Sequence, residues 1–398
     1  MPVRRVLLLT NAITPDRIGG LERYVRELAG ALARAGVEVE LSARQVDSDV
    51  PAHRLEADGV AVRRFPTPSK RDPLYALKYP LAAVGASYRA ARAQGRHTVI
   101  HSHFPLQGVP LATSGTPYIH TFHAPVYREL LPEHKDSYAL PVPLRRPAVA
   151  GLRKVESLVL RKAEQVVALS EFMAHEATTA LGADPGRIAL VPGGIDTEVL
   201  RPGPPIDDPW AAGAGPLLFA ARRLVPRTGV PELVEAVAMI AARIPDVRVA
   251  IAGRGPLDAA VRDRVAALDL QRHVRLLGWV SDAELIGWYR AADLVVLPTQ
   301  ELEGFGLATA EALACGTPVV GTPAGATPEV LGRLDRSLIT RDRSPGAIAE
   351  KVVAMLGDRE RLARLAAGAR ASVEPALSWA TVVDRHLEIY ERHAVEFR

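Results

Sequence analysis

The sequence predicts an α/β protein built from two doubly wound domains, each a parallel sheet flanked by helices. Three observations carry this. A chain of 398 residues suits two domains, each able to bury a substantial core. It opens with the apolar run Val6-Leu7-Leu8-Leu9-Thr10, then a glycine-bearing loop and a helical pattern, and the same order restarts at Pro216-Leu217-Leu218-Phe219-Ala220-Ala221. Between them, residues 201–215 are crowded with prolines and glycines, the composition of a connecting segment. The expected division is therefore 1–200, a linker at 201–215, 216–377, and a closing helical segment at 378–398.

Composition excludes several classes. Hydrophobic residues make up 48% and charged residues 24%, values of a soluble globular chain rather than a disordered or membrane-spanning one. A net charge of +4, with arginines scattered through the helices, argues against a nucleic-acid partner. The single cysteine, Cys315, rules out an internal disulfide and a multi-cysteine metal site and fits a reducing, cytoplasmic setting. The apolar run at 6–10 is too short for a signal peptide and is read as the first strand.

That strand leads through the loop 12–20 into a helix whose Leu21, Val25, Leu28 and Leu32 recur at helical spacing. In a doubly wound sheet, ligands sit at the carboxyl ends of the strands. Gly19 and Gly20 lack the spacing of a dinucleotide fingerprint and by themselves read as a turn. A strand at 37–42 precedes a polar loop at 45–54 containing Asp47-Ser48-Asp49. No metal is expected there, because the triplet follows no long apolar strand and has no acidic partners nearby.

A mixed apolar and basic helix at 75–94 leads to a strand at 98–103 that ends in His101 and His103. These two either line an acceptor pocket or satisfy loop carbonyls. The strand at 116–123 carries His120 and His123, which need not share an environment, since alternate strand residues face opposite ways. Residues 127–146 are rich in proline, charge and aromatics, and such a loop at the carboxyl edge of a sheet is suited to binding specificity. Within it, 138–146 combines apolar groups with cations and reads as a packed acceptor loop, a peripheral contact with the inner membrane surface being the second reading. A strand at 165–169, a helix at 171–181 capped by Ser170, and a strand with its exit turn at 188–196 close the domain.

In the second half, Arg222, Arg223 and Arg227 follow the strand at 216–221. Cations at a strand end are either a solvated turn or the groups that neutralise a departing diphosphate. Strands at 247–252 and 274–277, a capping box at Ser281 and Glu284, and Thr327-Pro328 and Ser344-Pro345, each read as an N-cap followed by proline, mark the remaining elements. The strand 293–297 is apolar throughout, as in a sheet covered on both faces, and Pro298 ends it. After it, Glu303-Gly304-Phe305-Gly306-Leu307 turns into a helix bearing Glu311. A glycine turn entering a helix presents free N–H groups and a positive dipole end, a site for a phosphate. Carboxylates on either side accept hydrogen bonds from hydroxyls, so a nucleotide sugar is the ligand expected.

The segment 303–320 resembles the donor-sugar motif of glycosyltransferase family 4, retaining enzymes of the two-domain GT-B fold. The resemblance implies two Rossmann-like domains facing across a cleft, with the final helix crossing back to the first domain. Gly19, Gly20 and Glu22 match a Gly-Gly-x-Glu pattern whose loop approaches the donor diphosphate, Glu22 being assigned with His101 and His103 to the acceptor side. Thr121-Phe122-His123 matches a strand end whose histidine contacts the transferred sugar. Gly253 and the loop around Val280 match donor-binding positions, as do Phe305, Gly306 and Leu307. Arg223 matches an arginine on the diphosphate, while Thr228 stands where the family has a lysine. Arg227 is expected to supply the missing cation, with Arg222 as a contributor.

The resemblance implies a metal-independent bacterial hexosyltransferase in which Glu303 and His123 orient the sugar, Arg223 and Arg227 stabilise the leaving diphosphate, and Glu311 holds the ribose. No cofactor is required; a UDP- or GDP-type sugar is the donor substrate, and a small-molecule, lipid-linked or glycan alcohol is the acceptor. A sugar-nucleotide epimerase of the same fold and a non-catalytic nucleotide-sugar-binding protein are the alternatives.

Overall fold

In the first strand, β1 (Arg5–Leu9), Val6, Leu7, Leu8 and Leu9 are all inaccessible to solvent, as a central parallel strand covered on both faces requires. The structure, a computed structural model, describes residues 3–16, 19–47, 49–69, 72, 74–94, 98–130 and 142–393. It divides into two units: of the described residues, one holds those up to 130, 142–194 and 379–393, and the other holds 195–378.

In the first unit β1 is followed by α1 (Gly20–Arg34), β2 (Glu38–Arg44), β3 (His53–Leu55), β4 (Ala61–Phe65) and α2 (Tyr75–Arg92). Then come β5 (Thr98–Ser102), α3 (Pro105–Ser114), β6 (Ile119–Phe122), α4 (Val142–Lys162), β7 (Gln165–Ala168), α5 (Glu171–Leu181) and β8 (Ile188–Leu190). The sheet order is β3-β4-β2-β1-β5-β6-β7-β8, parallel except for β3 against β4. The chain winds outward from β1 in one direction and from β5 in the other, so the ends of β1 and β5 form the switch point at which such sheets bind ligands. The C-terminal helix, Trp379–His393, packs on α1 through Trp379, whose indole N–H donates to Glu27 at 2.8 Å.

The second unit contains β9 (Leu217–Ala221), α6 (Val230–Ala241), β10 (Arg248–Ala252), α7 (Asp258–Ala267), β11 (Val274–Gly278), α8 (Asp282–Ala291) and β12 (Leu294–Leu297). It continues with α9 (Leu307–Ala314), β13 (Val319–Gly321), α10 (Thr327–Leu331), α11 (Pro345–Gly357) and α12 (Arg359–Val373). Its sheet is wholly parallel in the order β11-β10-β9-β12-β13, which places the switch point at the ends of β9 and β12.

Several expectations change. Residues 201–215 are not a free linker: Arg290 Nε donates to Arg201 O at 2.7 Å, Ile206 N to Gly287 O at 2.9 Å, and Arg248 Nη1 to Ala211 O at 2.9 Å. Prolines and glycines prevent regular structure there without preventing side chains of the second unit from binding the backbone. The break falls at 194/195 rather than at 200. The segment read as a polar loop at 45–54 ends in β3, whose three residues are exposed and so show no apolar pattern. Helix α3 was hidden by Pro105, Gly108 and Pro110. Thr327 is not an N-cap; Ala326 is, and the Thr327 hydroxyl is buried without a hydrogen-bond partner among the described residues. By contrast, Ser170, Ser281 and Ser344 each accept a backbone N–H as caps. Ser48 and residues 138–141 lie outside the described residues; the flanking Asp47 carboxylate accepts from Asp49 N at 3.1 Å.

Candidate active site

At the switch point of the second unit, the loops leaving β9, β10 and β12 hold one another by backbone contacts. Arg222 N donates to Ala252 O at 2.8 Å and Leu224 N to Arg254 O at 3.1 Å. Gly253 has φ +137°, and a Cβ there would lie 1.8 Å from Arg222 O, so a side chain is sterically forbidden. Gly253, read from sequence as a donor-binding residue, thus acts by letting two strand exits meet.

This packing sets Arg222 beside Glu303. Arg222 Nη2 donates to Glu303 Oε2 at 2.6 Å and to Thr299 Oγ1 at 2.6 Å, with the two charged side chains 9% and 16% exposed. Arg227 Nη1 donates to Leu302 O at 3.3 Å. Burial pushes the Glu303 carboxyl up, but the Arg222 charge and hydrogen bond, the nearby Arg227 charge and the Gly306 backbone N–H together outweigh it and hold the group below its usual value. Leu302, just before it, has φ +52°, a conformation costly for a branched side chain and often found at functional turns. Arg223 is exposed and makes no ion pair among the described residues. Arg222 is thus the cation bonded to Glu303, and the Arg227 charge also acts on that carboxylate.

Thr228 is 4% exposed, and its hydroxyl lies 2.6 Å from Arg223 O and 2.7 Å from Val225 O. It closes its own loop rather than facing a ligand, a correction to its donor-binding assignment. Gly306, at φ +92°, is the N-cap of α9 and supplies no side-chain cap, which leaves the first N–H groups of the helix open to an anion. Phe305 is buried before it, and Leu307 is the first helical residue. The Thr309 hydroxyl is buried without a hydrogen-bond partner among the described residues, and a Cβ on Gly306 would stand 3.2 Å from it. Glu311 is 6% exposed and accepts from the Tyr289 hydroxyl at 3.0 Å; Tyr289 in turn is held edge-on against Phe219. Val280 is half-buried in the loop after β11. Thr299, Thr309 and Tyr289 escaped sequence reading, because isolated hydroxyls carry no periodic or motif signal.

The first unit gathers histidines at the ends of β5 and β6. His101 is fully buried, its two ring nitrogens 2.7 Å from the Tyr390 and Thr121 hydroxyls, so it is a structural residue and not a wall of an acceptor pocket. His103 is also buried, with Nδ1 3.1 Å from His123 Nε2. His123 is half-buried and meets Tyr24 edge-on at 5.0 Å between ring centroids. Burial, aided by the neighbouring His120 and His386, pushes the His123 pKa down to about 3, so the ring is neutral at pH 7. Among the described residues no group of three His, Cys, Asp or Glu side chains is placed to hold a metal ion. Glu22 is buried and folds back so far that a Cβ on Gly19 would stand 2.2 Å from its Oε2; it is not an open acceptor-side group. Gly20 begins α1 with open space where a Cβ would be.

Solved structures define the class. The fold matches sucrose-phosphate synthase from Thermosynechococcus elongatus with a TM-score of 0.77 at 21% identity, covering 98% of each chain. It also matches Anabaena HepE in complex with UDP-glucose, with a TM-score of 0.73 at 19% identity over 98% of this chain and 99% of that one. The fold is that of the GT-B glycosyltransferases. The family model "Glycosyltransferase Family 4" matches residues 18–199, and "Glycosyl transferases group 1" matches 209–372. The chain is 36% identical to the D-inositol 3-phosphate glycosyltransferase of Pseudarthrobacter chlorophenolicus over 81% of this chain and 80% of the relative. It is 30% identical to that of Jonesia denitrificans over 99% and 97%. The chain belongs to glycosyltransferase family 4.

Proposed function

We propose that the protein transfers a hexosyl group, with retention at the anomeric carbon and without a metal ion, from a nucleoside diphosphate sugar to an acceptor hydroxyl. The observation that carries this is the charge at the switch point of the second unit. Two guanidinium groups, Arg222 and Arg227, act on the carboxylate of Glu303 beside the N-terminus of α9, and the loop that carries them holds a third, exposed one on Arg223. That excess of positive charge answers the negative charge developing on a leaving diphosphate and takes the part a metal ion plays elsewhere. Glu303, held ionised, accepts hydrogen bonds from sugar hydroxyls, and Glu311 with Tyr289 does the same for the ribose. His123, neutral at working pH, offers a ring nitrogen to the transferred sugar.

Anabaena HepE, solved in complex with UDP and with UDP-glucose, favours a uridine donor. The names of the curated relatives favour D-inositol 3-phosphate, or another phosphorylated polyol, as acceptor. The activity belongs to the cytoplasm, where such donors are made; none of the described helices is long and apolar enough to cross a membrane. The test is incubation with UDP-, GDP- and ADP-sugars, with and without D-inositol 3-phosphate and with EDTA present, followed by mass analysis. Acceptor-dependent nucleotide release with a glycosylated polyol that keeps the donor's anomeric configuration supports the reading. An isomerised nucleotide sugar, or ligand binding without turnover on any acceptor, overturns it.

A further inference from the structure

β5 and β6 pair in parallel, and each releases a histidine directly after its last residue, His103 from one and His123 from the other. The two rings share one hydrogen bond, between His103 Nδ1 and His123 Nε2 at 3.1 Å, and no other hydrogen bond reaches either ring among the described residues. The pair is anchored from behind. His103 is buried against His101, with ring centroids 4.1 Å apart, and its backbone N–H donates to Leu9 O of β1 at 2.8 Å. His101 is itself pinned through both nitrogens, to the Tyr390 hydroxyl of the C-terminal helix and to the Thr121 hydroxyl. The plane of the His103 ring is therefore fixed, and the shared hydrogen bond passes that constraint to His123.

The second nitrogens of the two rings differ. His103 Nε2 is sealed from solvent without a partner among the described residues, whereas His123 Nδ1 is unpartnered but open. Burial holds both rings neutral at pH 7, so each carries a single N–H. One hydrogen bond between two neutral rings ties their tautomers together. If His103 donates, both rings carry the proton on Nδ1; if His123 donates, both carry it on Nε2. The second arrangement strands an N–H at the sealed His103 Nε2, the first only a lone pair, and an unpaired buried N–H is the defect that folded chains avoid most strictly.

We propose, resting on the reading of His123 as the group that meets the transferred sugar, that His103 is its positioning residue: it holds the His123 ring in one plane and one tautomer, so that Nδ1–H is presented as a hydrogen-bond donor. The sugar atom read by His123 is then an oxygen with a free lone pair. A protonated amine at that place on the sugar meets a donor instead of an acceptor and is disfavoured.

The full chain, isotope-labelled at the histidine ring nitrogens, is to be compared with H123A, H103F and H103N by NMR, in which protonated and bare ring nitrogens resonate apart. The His123 ring, assigned by its loss in H123A, is expected in the wild type as the Nδ1–H tautomer alone and in H103F as a mixture. In H103N, whose side-chain amide donates from the place of the lost Nδ1, the single tautomer should return. Turnover, with whichever of the UDP-, GDP- and ADP-sugars the protein uses, is expected to fall about tenfold in H103F and to recover to within about twofold of wild type in H103N, the effect of losing and restoring one neutral hydrogen bond. Affinity for the bare nucleoside diphosphate should not change. Should H103F unfold, the wild-type and H103N spectra and the H103N turnover decide alone. An Nε2–H or mixed tautomer at His123 in the wild type overturns the proposal, and so does an H103N enzyme no better than H103F. So does H103F with wild-type turnover while H123A is impaired, which strikes His103 alone. Undiminished turnover of H123A is the separate failure: it removes His123 from the sugar and leaves the two rings a structural pair, whatever their tautomer.

Discussion

The guanidinium of Arg222 and the carboxylate of Glu303, 81 residues apart in the chain, are joined by a hydrogen bond of 2.6 Å in a largely buried setting. A carboxylate in that position without its cation would be both poorly solvated and partly protonated, and neither state suits the proposed role of accepting hydrogen bonds from a sugar.

Replacing Arg222 by alanine is therefore expected to lower turnover by about a hundredfold or more, since the change both frees Glu303 and removes charge proposed to face the leaving group. Arg222→Lys should fall between the two, because it keeps the charge but cannot serve Glu303 and Thr299 from one planar fork. Steady-state kinetics on the three proteins checks the order; an Arg222→Ala enzyme of near-normal turnover would remove Arg222 from the site.

Arg227 contributes more weakly to the field at Glu303 than Arg222 does and donates to a backbone carbonyl at 3.3 Å. Its replacement by alanine is expected to cost about tenfold in turnover, less than the Arg222 variant, because its charge acts more weakly on Glu303. The ratio of the two effects, measured under one set of conditions, tests which guanidinium is the principal cation.

Tyr289→Phe removes one hydrogen bond from Glu311 while keeping the ring against Phe219. Such a bond to a charged group is worth about 1.5–3 kcal/mol, so donor affinity should weaken by roughly tenfold or more with little change in the rate of the bound complex. Calorimetric titration with nucleoside diphosphate reads this directly.

Acid should destabilise the first unit before the second. The pKa of His120 and that of His123 are pushed down to about 3, and that of His386 to about 4, in each case mainly by burial, from an ordinary value of 6.5. A base whose folded pKa is depressed leaves the unfolded chain binding more protons, so stability is full above pH 6.5 and falls as pH drops toward the folded values. Each such ring costs up to about 1.4 kcal/mol per pH unit in that window. Denaturant melts at pH 7 and pH 5 should differ by several kcal/mol, and His386→Phe should reduce the difference.

A methyl group on Gly253 has nowhere to go, because Arg222 O occupies the place. Gly253→Ala is expected to cost more than about 2 kcal/mol in stability and, by displacing the Arg222 backbone, to reduce turnover as well. Thermal unfolding together with the kinetic assay separates the two effects.

Much of the fold was legible because its signals are local. The run Val6 to Leu9, the spacing of Val25, Leu28 and Leu32, and the serine caps at 170, 281 and 344 each bias neighbouring residues, and the tertiary structure agrees with them. β3 and α3 were not legible, the first for want of apolar alternation, the second because its prolines lie in tolerated positions.

For the site, sequence alone established the turn at Gly304 and Gly306, the two carboxylates and the presence of several cations near Thr228. Which cation meets Glu303, that Thr228 is turned inward, that His101 is sealed behind Tyr390 and that Tyr289 reaches Glu311 were decided only by the folded chain. The reason is physical: a motif constrains backbone over a few residues, whereas a side-chain partner is selected by strands and helices that meet from distant parts of the chain. Their convergence depends on sheet order, and sheet order is a property of the whole unit.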